Sequence, residues 1–216
     1  MNKEQNVVNF YVTCNRLKNV IRTGWNNWKV KRDRIESVAE HIYGAQMLAI
    51  AMIHEYEYDV DLMKVVYMLA IHELGETIIG DLTPFQITKE KKEKIEHEAV
   101  HKILDSLIGG ETIEELFLEF DERKTKEALF AYQCDKFECD LQCKLYDEEG
   151  CVDYTKQEGN NSAKDELVVE LLEKEKSWSG MWLEFDKRKY SYDENFIAVS
   201  NYVKNNKIGD IDDQLQ

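Results

Sequence analysis

Apolar residues recur at helical spacing through most of the 216-residue chain, and strand-like alternation is scarce. Val7, Phe10, Tyr11, Cys14, Leu17 and Val20 or Ile21 form one stripe, which predicts a first helix over residues 6–20 with that stripe facing a core. A loop follows from Arg22 to Glu36. Ser37 with Glu40 three residues later has the form of a capping box, so a second helix is predicted to start there, with His41 in its first turn, and to run to about Glu55. A third helix is predicted over about 60–79, ending near Gly80. After a turn at Thr83-Pro84, the pattern predicts a charged helix over 89–107, another over 111–120 and a long one over 122–146. Residues 147–163 are polar, contain Gly150 and Gly159, and read as a loop or insertion. A helix over 164–178, a less regular aromatic region and a frayed end, KIGDIDDQLQ, complete the chain. With a single proline, Pro84, the whole predicts an all-α protein.

Composition narrows the class. A chain of this length with 43% hydrophobic residues can bury a core of its own and suits one large domain, or one domain with an appendage. No apolar run is long enough to span a bilayer, and the start MNKEQNVVNF lacks the basic and apolar segments of a signal peptide, so a cytoplasmic protein with no membrane partner is expected. Five cysteines, an odd number, point to free thiols in a reducing compartment.

The net charge of −15 argues against a nucleic-acid polymer as partner. One segment reverses that trend. Arg16, Lys18, Arg22, Lys29, Lys31, Arg32 and Arg34 accompany a single acid, Asp33, while the remainder of the chain carries 42 acidic and 21 basic residues. Such an island suits a small phosphorylated ligand, although charge alone fits an ordinary solvated cluster equally well.

Two groups of residues could hold a metal. HEAVH, from His97 to His101, matches the pattern in which two histidines on one helix face bind zinc. Its flanks, KEKKEKIE before and Lys102 after, are those of a solvated helix, and no histidine follows His101. A surface helix is the reading its context favours. The second group starts in LAIHELGETIIGD, where a helix that reads as core from Met63 through Ile71 abruptly carries His72, Glu73 and Glu76 and then turns at Gly80 into Asp81. Burying these ionisable groups together is costly unless something pairs with them. Gly75 removes bulk from the same turn and would let another element approach. His41 and Asp135, each set among apolar neighbours, are candidates to join them. Asp140 is expected to face solvent with Lys136 and Lys144, and Cys134, Cys139 and Cys143 are expected to fill core space.

Taken in order, His41, His72 followed by an acid, and Asp135 resemble the H…HD…D signature of HD-domain metal-dependent phosphohydrolases. RTGW at 22–25, ESVAEH at 36–41, HELGETIIGDLTP at 72–84 and QCDKFECDLQ at 133–142 are similar to the 5′-deoxynucleotidase-like branch, a likeness that covers about residues 8–146. It implies an HD-domain helical bundle over 1–146, with 147–216 a loop and C-terminal helical extension packed on the same domain. It further implies that His41, His72, Glu73 and Asp135 hold one divalent metal ion, while Glu76 and Asp81 position or deprotonate water and assist the leaving group. Arg22 would contact the phosphate and Trp25 would line a nucleoside pocket. The expected substrate is a nucleoside 5′-monophosphate, foremost a 5′-deoxynucleotide, and the expected assembly a homodimer. Manganese, cobalt, iron, nickel, zinc and magnesium all suit imidazole and carboxylate ligands. The same fold also serves cyclic nucleotides, nucleoside triphosphates and alarmones, and a non-catalytic nucleotide- or metal-binding protein is a further alternative. Where the family has aspartate after the histidine, this chain has the longer Glu73.

Overall fold

The computed structural model describes residues 2–83 and 86–210, and the chain there is helical with no strand. In chain order the α-helices are α1 (Lys3–Cys14), α2 (Thr23–Asn27), α3 (Val38–Glu55), α4 (Leu62–Ile71), α5 (Glu76–Ile79) and α6 (Lys89–Leu104). They continue as α7 (Gly110–Glu122), α8 (Lys126–Glu148), α9 (Glu166–Glu175), α10 (Trp178–Lys189) and α11 (Glu194–Asn205). The all-α class expected from the pattern holds. Among the described residues no helix is long and apolar enough to cross a membrane. Pro84 of the expected turn and the last six residues of the expected frayed end lie outside the described residues.

Several expected elements are corrected. The first helix stops at Cys14 and continues as a 3-10 turn over Asn15–Asn19. Its stripe is not core throughout: Leu17 is buried and Phe10 and Cys14 are half-buried, but Val7 and Tyr11 are each 63% exposed. The third helix breaks at His72 and resumes as the short α5. The aromatic C-terminal region is two regular helices. Ser177 and Asp193 start them by accepting hydrogen bonds from the free amides of the first turn, a signal that the dense aromatic pattern obscures. Of the expected frayed end, Ile208 and Gly209 are tied down, both amides donating to the Glu148 carboxylate at 3.1 and 2.9 Å.

The chain divides into two compact units, Met1–Thr23 with Glu36–Cys134, and Gly24–Ile35 with Asp135–Gln216. The division falls inside α8. In the first unit Ile71, Leu74, Val100, Leu104 and Phe117 form a core drawn from α4, the turn after it, α6 and α7. In the second unit the core is aromatic. Trp25 meets Tyr146 edge-on at 5.4 Å and Trp178 at 6.0 Å, and Trp28 lies 5.7 Å from Trp178. Each such pair contributes about 0.5–1.5 kcal/mol beyond the area it buries.

Asp140 does not face solvent. It is 2% exposed on α8, beside the equally enclosed Asp186 of α10 and 3.5 Å from the Tyr192 hydroxyl, which donates to it. Burial, reinforced by the neighbouring Asp186, pushes the Asp140 carboxyl well above the carboxylate range, so Asp140 keeps its proton and donates it to Asp186. Burial likewise raises Asp186, to about 7, against the opposing pull of the Asp140 hydrogen bond, Lys136 and Lys189.

The folded second unit therefore holds protons that the unfolded chain releases. The contribution of this pair to stability is greatest in acid, below the unfolded carboxylate value of about 4, and is lost as pH rises towards 7. Asp140→Asn, which keeps a donor to Asp186 without a second charge, is expected to flatten this fall relative to the wild type in urea unfolding followed from pH 4 to 8.

Candidate metal centre

The first unit builds its polar centre from two chain crossings. Residues 20–22 run beside 36–38, with the Val38 amide donating to the Val20 carbonyl at 2.8 Å and the Arg22 amide to the Glu36 carbonyl at 3.1 Å. Ser37 then caps α3 as the sequence predicts, in a capping box with the Glu40 carboxylate. This fixes the first turn of α3 and holds His41 there with no exposed surface.

The other crossing is the break after α4. From His72 to Gly75 the backbone tightens into turns, with amides of Leu74, Glu76 and Thr77 bonding three residues back to Ile71, Glu73 and Leu74. The side chains of residues 72, 73 and 76 consequently fan around one point instead of stacking along a straight helix. His72 Nδ1 donates to the Leu69 carbonyl at 2.8 Å, which leaves its Nε2 as the lone-pair nitrogen. That Nε2 lies 3.4 Å from His41 Nε2. Glu73 Oε1 is 3.6 Å from His72 Nε2 and 4.0 Å from His41 Nε2, so the longer side chain still reaches both rings.

Asp135 is the next residue along the unbroken α8 after Cys134, with which the first unit ends. It is 2% exposed, and ligand atoms of His41, His72, Glu73 and Asp135 all lie within 4.8 Å of one another. Donors around a single ion with bonds of about 2.0–2.2 Å sit about 3–3.5 Å apart. Two imidazole nitrogens and two carboxylates at these separations fit a divalent cation.

Carboxyl groups and the cations Lys92, Arg22 and Lys136 border this set. Glu76 is 1% exposed, with Oε1 3.1 Å from Lys92 Nζ and Oε2 buried without a hydrogen-bond partner among the described residues. Burial first, then the charges of Glu73 and Asp81, push Glu76 up to about 9, against the opposing charges of Lys92 and Arg22. Glu96 of α6 closes the other side. A Cβ built at Gly75 would come within 2.5 Å of Glu96 Cγ and 3.2 Å of its carbonyl oxygen, so glycine is what lets α6 approach. Gly80, at φ 73° and ψ 171°, occupies backbone space closed to other residues and turns the chain into Asp81. The Thr23 amide donates to Asp81 Oδ2 at 2.6 Å and the Thr23 hydroxyl to the Asp81 carbonyl at 2.7 Å. That clasp holds the neighbouring Arg22 in place, with Nη1 3.4 Å from Glu73 Oε1.

The family pattern described as HD domain matches residues 14–165. The chain belongs to the HD-domain family. Among its relatives, a Dictyostelium discoideum protein named 5′-deoxynucleotidase HDDC2 is 38% identical over 67% of this chain and 79% of its own length. The human 5′-deoxynucleotidase HDDC2 is 31% identical over 67% of this chain and 70% of its own. A solved structure of a conserved hypothetical protein from Pyrococcus furiosus has the same fold, at a TM-score of 0.66 and 21% identity over 92% of this chain and 99% of that one.

Within this HD domain, the residues expected to bind metal are brought together, with Glu76 beside them, and Asp81 and Arg22 are clasped nearby through Thr23. Trp25 packs in the aromatic core of the second unit at 7% exposure. The HEAVH histidines stay apart from the centre, each paired with its own carboxylate of α7: His97 with Asp121 at 2.6 Å and His101 with Glu114 at 3.1 Å. Thr23, Lys92 and Glu96 are absent from the sequence-based set. For Thr23 the only signal is its place between Arg22 and a glycine. Lys92 and Glu96 are hidden in a run that reads as a solvated face.

The Gly75 contact makes a direct prediction. Gly75→Ala forces α6 away from the turn and is expected to cost about 1–3 kcal/mol, measured by urea unfolding, with a matching loss of bound metal.

Proposed function

We propose that this protein is a metal-dependent phosphomonoesterase that removes phosphate from nucleoside 5′-monophosphates, 5′-deoxynucleotides foremost. The observation that carries this reading is the set of two imidazoles and two carboxylates with the Arg22 guanidinium and the Glu76 carboxyl beside it. The names of the HDDC2 relatives support the substrate class. In this reading His41, His72, Glu73 and Asp135 hold one divalent ion. When bound, that ion supplies Lewis acidity towards the phosphate ester and its attacking water.

Hydrolysis takes a proton from water and delivers one to the departing nucleoside oxygen, and two carboxyl groups divide that work. Glu76, kept protonated by its burial, suits delivery to the leaving oxygen. Asp81, half-buried at the end of the Gly80 turn, suits orienting the water. Arg22 presents a planar guanidinium to the phosphate oxygens, a geometry that lysine lacks. We also propose a homodimer, supported by the exposed apolar residues Val7, Val8, Tyr11 and Val12 along α1, and a cytoplasmic location, supported by five free cysteines.

Phosphate release is to be followed for a panel of deoxynucleoside and nucleoside 5′-monophosphates, with Mn²⁺ or Co²⁺ added and with the metal chelated. Metal-dependent release, greatest with the deoxynucleotides, is expected; absence of release with every metal would sink the reading. His72→Ala and Asp135→Ala are each expected to lose bound metal by mass spectrometry and activity together. Arg22→Lys is expected to raise KM about 10–100-fold, the equivalent of one charge-assisted hydrogen bond at about 1.5–3 kcal/mol.

A further inference from the structure

We infer that Lys92 is a positioning residue: it anchors one carboxyl oxygen of Glu76 so that the other is presented to the reacting groups. This rests on the phosphomonoesterase reading above and adds a residue to it. Helix α6 opens with KEKKEKIE, a run whose composition reads as wholly solvated. Two of its charged side chains nevertheless turn inward. Lys92 has a side chain only 28% exposed, and Glu96, one helical turn on, is 9% exposed, whereas Lys89 and Glu93 pair with each other at 69% and 42% exposure.

The inward pair meets the His72–Glu76 turn at Gly75, the point where the missing side chain admits α6. Lys92 Nζ is 3.1 Å from Glu76 Oε1, while Oε2 of the same carboxyl is buried and makes no hydrogen bond among the described residues. Carboxyl atoms of Glu73, Glu76 and Glu96 lie within 4.8 Å of one another, so an untethered Glu76 could turn either of its oxygens towards either neighbour. The Lys92 ammonium donates to Oε1 and so fixes the carboxyl plane. The remaining oxygen then has one direction available.

A purely structural counter-charge would make Lys92 matter for folding or metal retention. A positioning role makes it matter for turnover, and only through Glu76. In the metal-loaded enzyme, with a deoxynucleoside 5′-monophosphate as substrate, Lys92→Met is expected to lower kcat about 10–100-fold. KM, metal content and melting temperature should stay close to the wild type. Lys92→Arg should recover most of the lost kcat. In a Glu76→Gln background, Lys92→Met should cause no further loss.

If Lys92→Met does not fold, Lys92→Ala, which likewise removes the donor to Oε1, carries the same comparisons. A kcat equal to the wild type, or a loss that persists at full size in the Glu76→Gln background, overturns the role of Lys92 alone. A wild-type protein that releases no phosphate overturns the phosphomonoesterase reading, and this inference with it.

Discussion

The first unit depends on two buried imidazoles whose Nε2 atoms lie 3.4 Å apart. The Nδ1–H of His72 is already spent on the Leu69 carbonyl, and its second nitrogen is left to accept. Carboxylates converge on the same point from Glu73 and Asp135. Such a gathering is expensive in a low-dielectric interior without a cation, and much of the first unit can be understood as scaffolding that holds it together.

The scaffolding works through local backbone devices more than through regular helix. A capping box fixes where α3 starts and hence where His41 points. The break after Ile71 converts a helical stretch into a fan of side chains. Gly75 admits α6, and Gly80 turns Asp81 back so that Thr23 can clasp it. A straight helix through residues 60–79 would put His72 and Glu76 on one face as well, but would not bring Glu73 beside the same two rings. In the tightened turn the long arm of Glu73 ends 3.6 and 4.0 Å from the two imidazole nitrogens.

The second unit follows the opposite electrostatic rule. Between Asp140 and Asp186 one shared proton takes up most of the charge conflict, with Lys136 and Lys189 drawing Asp186 towards its ionised form. Asp135 and Asp140 lie five residues apart on one helix and reach these different ends because of what packs against each. Nothing in the short-range pattern around Asp140, with Lys136 and Lys144 a helical turn away on either side, indicates that its face is covered.

The sequence by itself determined the helical class and the start of α3 at Ser37, and it singled out His41, His72, Glu73, Asp135, Glu76 and Asp81 as candidates and Gly75 as the point of close approach. All of these are written in short-range spacing or in ordered motifs. The tertiary structure alone decided which charged residues are buried. The inward turn of Lys92 and Glu96, the sealing of Asp140 against Asp186, the commitment of Trp25 to an aromatic core and the exposure of Val7 and Tyr11 depend on neighbours distant in sequence. Periodicity reports which residues share a face of a helix; only packing reports whether that face meets water or another helix.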